Sequence, residues 1–244
     1  MPEPILEIRS VVKRFGGLSA VDCVSFCVID GELLGIAGPN GSGKSTLFNV
    51  ISRNPYPATS GEVHFRGNRI DQWPAQKIAE AGLTRTFQKD AAFPDLTAIE
   101  TVALAAHYGK GLARKDAAEA AARTLDEMGV APERRELPTN ALSVYERKQL
   151  MIGSALVTEP LILMLDEPAS GLTRPEIESL KTLLLQIKST GVTIILIEHV
   201  LSLLLAVAER LIVLNQGRVL AEGEPQTVIR NPEVIEAYLG ERAA

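Results

Sequence analysis

One run of residues combines the side chains and the spacing of a loop that binds a polyphosphate: Gly38, Pro39, Asn40, Gly41, Ser42, Gly43, Lys44, Ser45 and Thr46. The run fits the pattern G-x-x-x-x-G-K-[ST], in which glycines let the backbone curl and point several N–H groups into one concavity. In such a loop Lys44 reaches the β- and γ-phosphates, and the Ser45 hydroxyl holds Mg²⁺. The apolar stretch 33–37 predicts a strand before the loop. Residues 47–51 predict a helix after it, whose N-terminus attracts anions. The loop therefore predicts a nucleotide site, with an ordinary glycine turn before a helix as the alternative.

Two carboxylates follow a second apolar stretch, 161–165, which predicts a buried parallel strand. Asp166 and Glu167 then lie at the carboxyl end of that strand, where α/β sheets bind their ligands. Asp166 suits the surroundings of a magnesium ion, and Glu167 suits the polarisation of a water that attacks the γ-phosphate. Charged residues also commonly follow a strand as it surfaces, so the pair gains its meaning from the loop at 38–46.

The bulk composition narrows the class of protein. The chain has 244 residues and a formal net charge of -5, which argues against a nucleic-acid-binding surface because such a surface needs a basic face. Its first residues lack the basic and apolar regions of a secretory signal, and no stretch reaches the ~18 apolar residues that span a bilayer. Cys23 and Cys27 would lie roughly 13 Å apart on a strand, so we expect free thiols in a reducing compartment.

The elements that must position these residues follow from the hydrophobic pattern. Alternation predicts strands within 5–28 and at 61–67. Between 93 and 154 the strand signals vanish and alanine becomes frequent, which predicts a helical insertion with Asp116 as one helix N-cap. The α/β pattern then resumes, with an amphipathic helix predicted at 175–189. Further strands are predicted at 193–197, 211–214 and 217–220, with a helix at 201–208.

These features occur in the order typical of the ATP-binding subunits of ABC transporters, and the chain resembles that family over nearly its whole length. The resemblance makes 38–46 the Walker A loop and Asp166-Glu167 the Walker B pair, with Glu167 catalytic. It implies that Phe15 stacks on adenine. Gln88 would be the Q-loop glutamine, which would contact the metal ion and take part in catalysis at the γ-phosphate. His199 would be the switch histidine that contacts the γ-phosphate, and residues 170–173 would form the D-loop.

The fold implied by the resemblance is α/β: the P-loop NTPase core of an ABC ATPase, with an antiparallel β subdomain and a helical subdomain insertion. We expect a single ATP-binding domain over 1–244. Residues 1–88 and 155–244 would form the RecA-like core plus the β subdomain, and residues 89–154 the helical subdomain.

Finer features resemble one subfamily. The segments 14–21, 166–172 and 236–241 are similar to the ATPases of branched-chain amino-acid importers, in particular to the larger of their two ATPase subunits. The lipopolysaccharide-export ATPase has a similar tail and stays an alternative, as does a soluble ABC ATPase acting on DNA or the ribosome. A small-molecule P-loop kinase would not explain Gln88, Ser143 and His199 in this order. Branched-chain amino acids are the subfamily's usual solute; urea, amides and aromatic acids stay open.

The resemblance also implies partners and a place in the cell. We expect transmembrane permease subunits, a second ATP-binding subunit and, indirectly, a periplasmic or extracellular solute-binding protein, but no nucleic acid. The chain would lie on the cytoplasmic face of the cell membrane, and its cofactors would be ATP and Mg²⁺.

One motif departs from the family. The signature L-S-G-G-Q aligns with Leu142-Ser143-Val144-Tyr145-Glu146, so Ser143 is kept and both glycines are lost. A β-branched residue and a bulky ring cannot approach a partner's γ-phosphate as glycine does, and Glu146 adds a negative charge. The D-loop also ends in Thr173 rather than aspartate. We therefore hypothesise an asymmetric pair with a different ATPase subunit; a homodimer, with Ser143 and the helix dipole sufficing, is the alternative.

Overall fold

Two separate sheets build the fold, one antiparallel and one mostly parallel. The computed structural model describes residues 3–86 and 93–240. Its strands are β1 (Pro4–Phe15), β2 (Leu18–Ile29), β3 (Leu33–Ala37), β4 (Ser60–Phe65), β5 (Asn68–Arg69), β6 (Leu83–Arg85), β7 (Ile162–Asp166), β8 (Thr193–Ile197), β9 (Arg210–Asn215) and β10 (Arg218–Gly223). Its helices are α1 (Lys44–Ile51), α2 (Ala75–Glu80), α3 (Ala98–Lys110), α4 (Arg114–Glu127), α5 (Pro132–Arg135), α6 (Val144–Leu156), α7 (Arg174–Ser189), α8 (Leu201–Val207), α9 (Pro225–Val228) and α10 (Pro232–Gly240), with a 3₁₀ turn at Thr139–Ala141.

The antiparallel sheet has the strand order β2-β1-β4-β5. β1 and β2 form a long hairpin in which Phe15 pairs with Leu18 across the turn. Burial alternates along β2 from Val24 to Val28, so one face of this stretch packs on the core and the other is solvated. The hairpin therefore places Phe15 at its tip. Cys23 and Cys27 are both free and exposed on β2, which confirms the expectation of free thiols.

The parallel sheet has the strand order β10-β9-β3-β8-β7-β6, and only the β9–β10 pair is antiparallel. Every residue of β3, β7 and β8 is buried, as expected for parallel strands covered on both faces. The carboxyl ends of these three strands lie at the same edge of the sheet. Segments 38–46, 166–167 and 198–199 follow those ends, which is where open α/β sheets bind ligands.

Three hydrophobic clusters organise the core. The first lies between the antiparallel sheet, α1 and one face of the parallel sheet, and Phe48 is fully buried in it. The second covers the opposite face, where α7 and α8 pack. The third joins α3, α4 and α6. Because α1 is held in the first cluster, the loop before it is fixed relative to both sheets.

The helical segment agrees with the sequence pattern in kind but not in every detail. Residues 93–154 contain helices and turns but no strand, as predicted. The N-cap of α4 is Ala113 and not Asp116, so that prediction is wrong; Asp116 lies in the first turn, where a carboxylate still favours the helix dipole. The boundary predicted at 88/89 lies outside the described residues, and the one at 154/155 falls inside α6. The division into subdomains thus stays a prediction. In residues 3–86 and 93–240, no helix is both long and apolar enough to cross a membrane.

We predict that Gly43→Ala disrupts the loop at 38–46. Gly43 has a φ of +104°, and a Cβ there would lie 2.3 Å from the carbonyl oxygen of Ala20 on β2. We expect the free energy of unfolding to fall by about 1–3 kcal/mol and nucleotide binding to be lost. Urea unfolding and titration with a fluorescent ATP analogue measure both.

The matched control is Gly17→Ala. Gly17 has no left-handed φ, and a Cβ there would meet nothing within 4 Å. This variant should keep stability and binding; equal behaviour of the two variants would contradict the assignment of the effect to crowding against β2.

Candidate active site

The loop between β3 and α1 is curled tightly against neighbouring backbone. Gly38 has a φ of +144°, and a Cβ there would lie 2.1 Å from the carbonyl oxygen of Leu214 on β9. Lys44 is buried, and its Nζ donates to the carbonyl oxygens of Gly38 at 2.7 Å and Pro39 at 2.9 Å. The first residues of the loop are thus hydrogen-bonded to its own ammonium group.

The β9–β10 turn, which is remote in sequence, holds this loop from the side, and β2 holds that turn. The Gly217 N–H donates to the carbonyl oxygen of Ser42 at 3.0 Å, and the Asp22 N–H donates to the carbonyl oxygen of Gly217 at 2.8 Å. Arg218 adds an ion pair to Asp22 at 2.6 Å. The β9–β10 turn and β2 therefore fix the loop together.

A cavity of about 380 Å³ opens over the loop. It is lined by Phe15, Leu18, Ala20, residues 40–46 and Glu167. The structure thus gathers Phe15, the Walker A residues and the Walker B glutamate around one space. Phe15 is 44% exposed, so part of its ring is accessible for stacking. Its ring packs edge-on against Tyr56 with 5.1 Å between the centroids. Lys13 Nζ lies over both rings, 5.1 Å and 4.6 Å from their centroids.

Asp166 ends β7 as a buried carboxylate with two unlike oxygens. Its Oδ2 accepts from Arg85 Nη2 at 2.8 Å, whereas its Oδ1 is buried without a hydrogen-bond partner. Burial raises the pKa of Asp166, and the Arg85 guanidinium opposes that rise. An unpartnered buried carboxylate oxygen is costly, and a hard cation or its water would satisfy it. Asp166 and the Ser45 hydroxyl at the start of α1 therefore fit Mg²⁺, which binds through one or two protein oxygens together with substrate phosphates.

Glu167 and His199 face each other across the ends of β7 and β8. Glu167 has a φ of +51°, a strained conformation for a non-glycine residue, and its N–H donates to the carbonyl oxygen of Ile197 at 2.9 Å. His199 Nδ1 lies 4.0 Å from Glu167 Oε2, and the His199 side chain is 53% exposed. The structure thus brings these two predicted residues together, while their roles stay predictions.

Glu198 is a residue that the sequence reasoning missed. It is fully buried, and its Oε1 accepts from the Ala169 N–H, just before the D-loop segment, at 2.6 Å. Its Oε2 is buried without a hydrogen-bond partner, and burial raises the pKa of the carboxyl. Glu198 therefore ties the segment after Walker B to the end of β8. The only sequence signal was an acidic residue directly after an apolar strand.

The signature segment lies apart from this cavity. Ser143 is the N-cap of α6 in a capping box: its Oγ accepts from the Glu146 N–H at 3.2 Å, and its N–H donates to Glu146 Oε2 at 2.7 Å. Arg134 binds the same carboxylate through two nitrogens and lowers the pKa of Glu146 to about 2. A guanidinium thus compensates the negative charge noted in the sequence. Tyr145 is half-buried against the second core cluster.

Five of the predicted site residues that the structure describes do not line this cavity: Gly38, Pro39, Ser143, Asp166 and His199. Gln88 lies outside the described residues, so its place at the metal and the γ-phosphate stays a prediction. The loop, the aromatic at the hairpin tip and the carboxylates at the strand ends define the class: a P-loop ATPase.

Known proteins resemble this chain in sequence and in structure. The ABC transporter family model matches residues 21–170, and the model of the branched-chain amino acid ATP-binding cassette transporter matches residues 218–244. The high-affinity branched-chain amino acid transport ATP-binding protein BraF of Pseudomonas aeruginosa is 38% identical over 256 aligned residues, covering 99% of this chain and 100% of BraF.

Two solved structures extend the likeness. An ATP-binding cassette of an ABC transporter in its ADP conformation has a TM-score of 0.88 at 30% identity, covering 98% of this chain and 99% of that one. A dimeric ATP-binding cassette in a post-hydrolysis state, bound to ADP and Pi, has a TM-score of 0.81 at 26% identity, covering 90% and 98%. The chain belongs to the ABC transporter family, in the group of branched-chain amino acid ATP-binding cassettes.

We predict that Glu198→Gln becomes more stable relative to the wild type as pH rises. The pKa of Glu198 is raised in the folded state, so the wild type loses stability as pH rises from the unfolded-state pKa near 4.5 through the folded-state value. His199 opposes this rise in the pKa and Glu167 adds to it. Glutamine keeps the acceptor for Ala169 and does not ionise. Urea unfolding of both proteins between pH 5 and 8 measures the difference; a pH-independent difference would contradict the burial of an ionisable carboxyl.

Proposed function

We propose that this chain is the ATP-hydrolysing subunit that energises an ABC importer for branched-chain amino acids. The observation that carries the proposal is the cavity in which the Walker A loop, Phe15 and Glu167 meet. The full-length similarity to a branched-chain amino acid transport protein supports the choice of solute.

The residues around the cavity divide the work of hydrolysis. Phe15 holds the base, and the loop N–H groups with Lys44 hold the β- and γ-phosphates. Ser45 and Asp166 would hold Mg²⁺, with Gln88 as a further contact; the ion supplies neutralisation of phosphate charge. Glu167 orients and polarises the attacking water, and His199 contacts the γ-phosphate. Because this chemistry needs little covalent participation by the protein, positioning by the strand ends carries most of it.

Proposed partners follow from the same role. Transmembrane permease subunits would bind the chain on the cytoplasmic face of the cell membrane, and a solute-binding protein would deliver the solute from outside. A second ATP-binding subunit would complete the nucleotide site, since Ser143 lies apart from this chain's own cavity. A lipopolysaccharide-export role is the alternative within the family.

We predict that Glu167→Gln abolishes transport but keeps ATP binding. Cells that lack the native gene are complemented with the wild type or the variant, and uptake of radiolabelled leucine is measured alongside urea and phenylalanine. The variant should lose leucine uptake because the amide cannot act as a base. Glu119→Gln, at an exposed position on α4, is the matched control and should transport normally. Uptake of urea but not leucine would overturn the proposed solute.

We predict unequal losses when the two catalytic glutamates of the complex are neutralised in turn. ATP on this chain would face the partner's signature, whereas ATP on the partner would face Val144 and Tyr145, which lack the flexibility of glycine. Glu167→Gln should therefore remove nearly all ATPase activity, and the matching change in the partner should remove little. Equal losses would contradict the asymmetric pair. The isolated chain should bind ATP and hydrolyse it poorly.

A further inference from the structure

Arg85 is a buried arginine that contacts the Walker B carboxylate from the last residue of β6. Its side chain is 7% exposed, and its Nη2 lies 2.8 Å from Asp166 Oδ2. Its Nη1 donates to Asn49 Oδ1 on α1, and its guanidinium carbon lies 5.5 Å from the centroid of the Phe48 ring. Arg85 therefore joins β6, β7 and the helix that follows the phosphate loop.

The contacts of Asn49 continue toward the base end of the cavity. Asn49 Nδ2 donates to the Tyr56 hydroxyl at 2.7 Å, and the Tyr56 ring packs edge-on against Phe15. A continuous series of side-chain contacts thus runs from Phe15 through Tyr56, Asn49 on α1 and Arg85 to Asp166. It connects the two ends of the proposed nucleotide site.

The chemistry of this series explains why residue 85 is an arginine. A guanidinium is a planar fork that donates from separate nitrogens at fixed angles, so it can bind a carboxylate and an amide oxygen together. A lysine ammonium keeps the charge but lacks that geometry. The contact engages Oδ2 of Asp166 and leaves Oδ1 unpartnered. Arg85 therefore holds the carboxylate by one oxygen, and Asn49 holds the guanidinium from its other side.

We infer that Arg85 is a positioning residue for the divalent cation of ATP: it holds Asp166 by one oxygen and so presents the other to the cation, with Asn49 and Tyr56 fixing the guanidinium. The inference rests on the proposed role of Asp166 at Mg²⁺. Arg85 touches neither ATP nor the reacting atoms in this assignment. Its effect should appear in the dependence of ATP binding on the cation and not in ATP binding as such.

The test compares ATP affinity with and without Mg²⁺ on the full chain. Equilibrium titration with ATP in EDTA and in excess Mg²⁺ gives two dissociation constants. The dissociation constant in EDTA divided by that in Mg²⁺ is the gain in affinity from the cation. We expect Arg85→Lys and Arg85→Gln to lower that gain by roughly tenfold, the usual effect of losing a group that orients a metal ligand. Affinity in EDTA should be unchanged. Tyr56→Phe, which removes only the hydroxyl and keeps the ring against Phe15, should lower the gain by a smaller factor.

Controls separate folding, the proposed magnesium site and the role of Arg85. Arg69→Lys changes an arginine that pairs with Asp71 on the antiparallel sheet and should keep the full gain. If Arg85→Gln fails to fold because Asp166 is left buried with its charge uncompensated, Arg85→Lys and Tyr56→Phe still decide. Asp166→Asn should lower the gain; if it does not, the proposed magnesium site is wrong. Suppose that Asp166→Asn does lower the gain. The inference about Arg85 is then overturned if Arg85→Lys keeps the full gain from Mg²⁺, or if Arg85→Lys weakens ATP binding equally in EDTA and in Mg²⁺.

Discussion

Close contact between the phosphate loop and the backbone of two strands is the constraint on which the rest of the structure depends. Gly38 is pressed against the Leu214 carbonyl on β9, and Gly43 against the Ala20 carbonyl on β2. Those strands belong to different sheets. The loop can therefore take its curled form only when both sheets are packed on the first core cluster, which also holds α1. The conformation of the nucleotide-binding loop therefore depends on the packing of the two sheets against each other.

Two buried carboxylates near that loop have a hydrogen bond to only one of their two oxygens. Asp166 and Glu198 each have one hydrogen-bonded oxygen and one buried oxygen without a hydrogen-bond partner, although Glu198 Oε2 lies 4.0 Å from His199 Nδ1. A protein interior normally pairs such atoms because leaving them unpaired costs free energy. Both carboxyls lie at the ends of strands of the parallel sheet, so the fold carries the free-energy cost of these unpaired oxygens at that edge.

The altered signature acquires a physical explanation in the tertiary structure. Glu146 closes a capping box with Ser143 and binds Arg134 through two nitrogens. The segment is thus a well-formed helix start whose charge is compensated, although it lacks the glycines of the family pattern. The loss of glycine leaves the helix intact: Val144 is exposed at its start, and Tyr145 packs half-buried against the second core cluster.

The sequence by itself determined the strand–loop–helix unit at 33–51, the carboxylate pair after 161–165 and the helical character of 93–154, because each is encoded by local spacing and periodicity. It did not predict β6, whose length of 3 residues is too short to show alternation. It also placed the N-cap of α4 at Asp116, whereas the helix begins after Ala113, because residue preferences at a cap are weak and the local backbone overrides them. Only the tertiary structure decided which partners the charged side chains meet. Arg85 reaches Asp166 across 81 residues, and Glu198 reaches Ala169 across 29. Such pairs depend on which strands are neighbours in the sheet, and no local pattern in the sequence records that order.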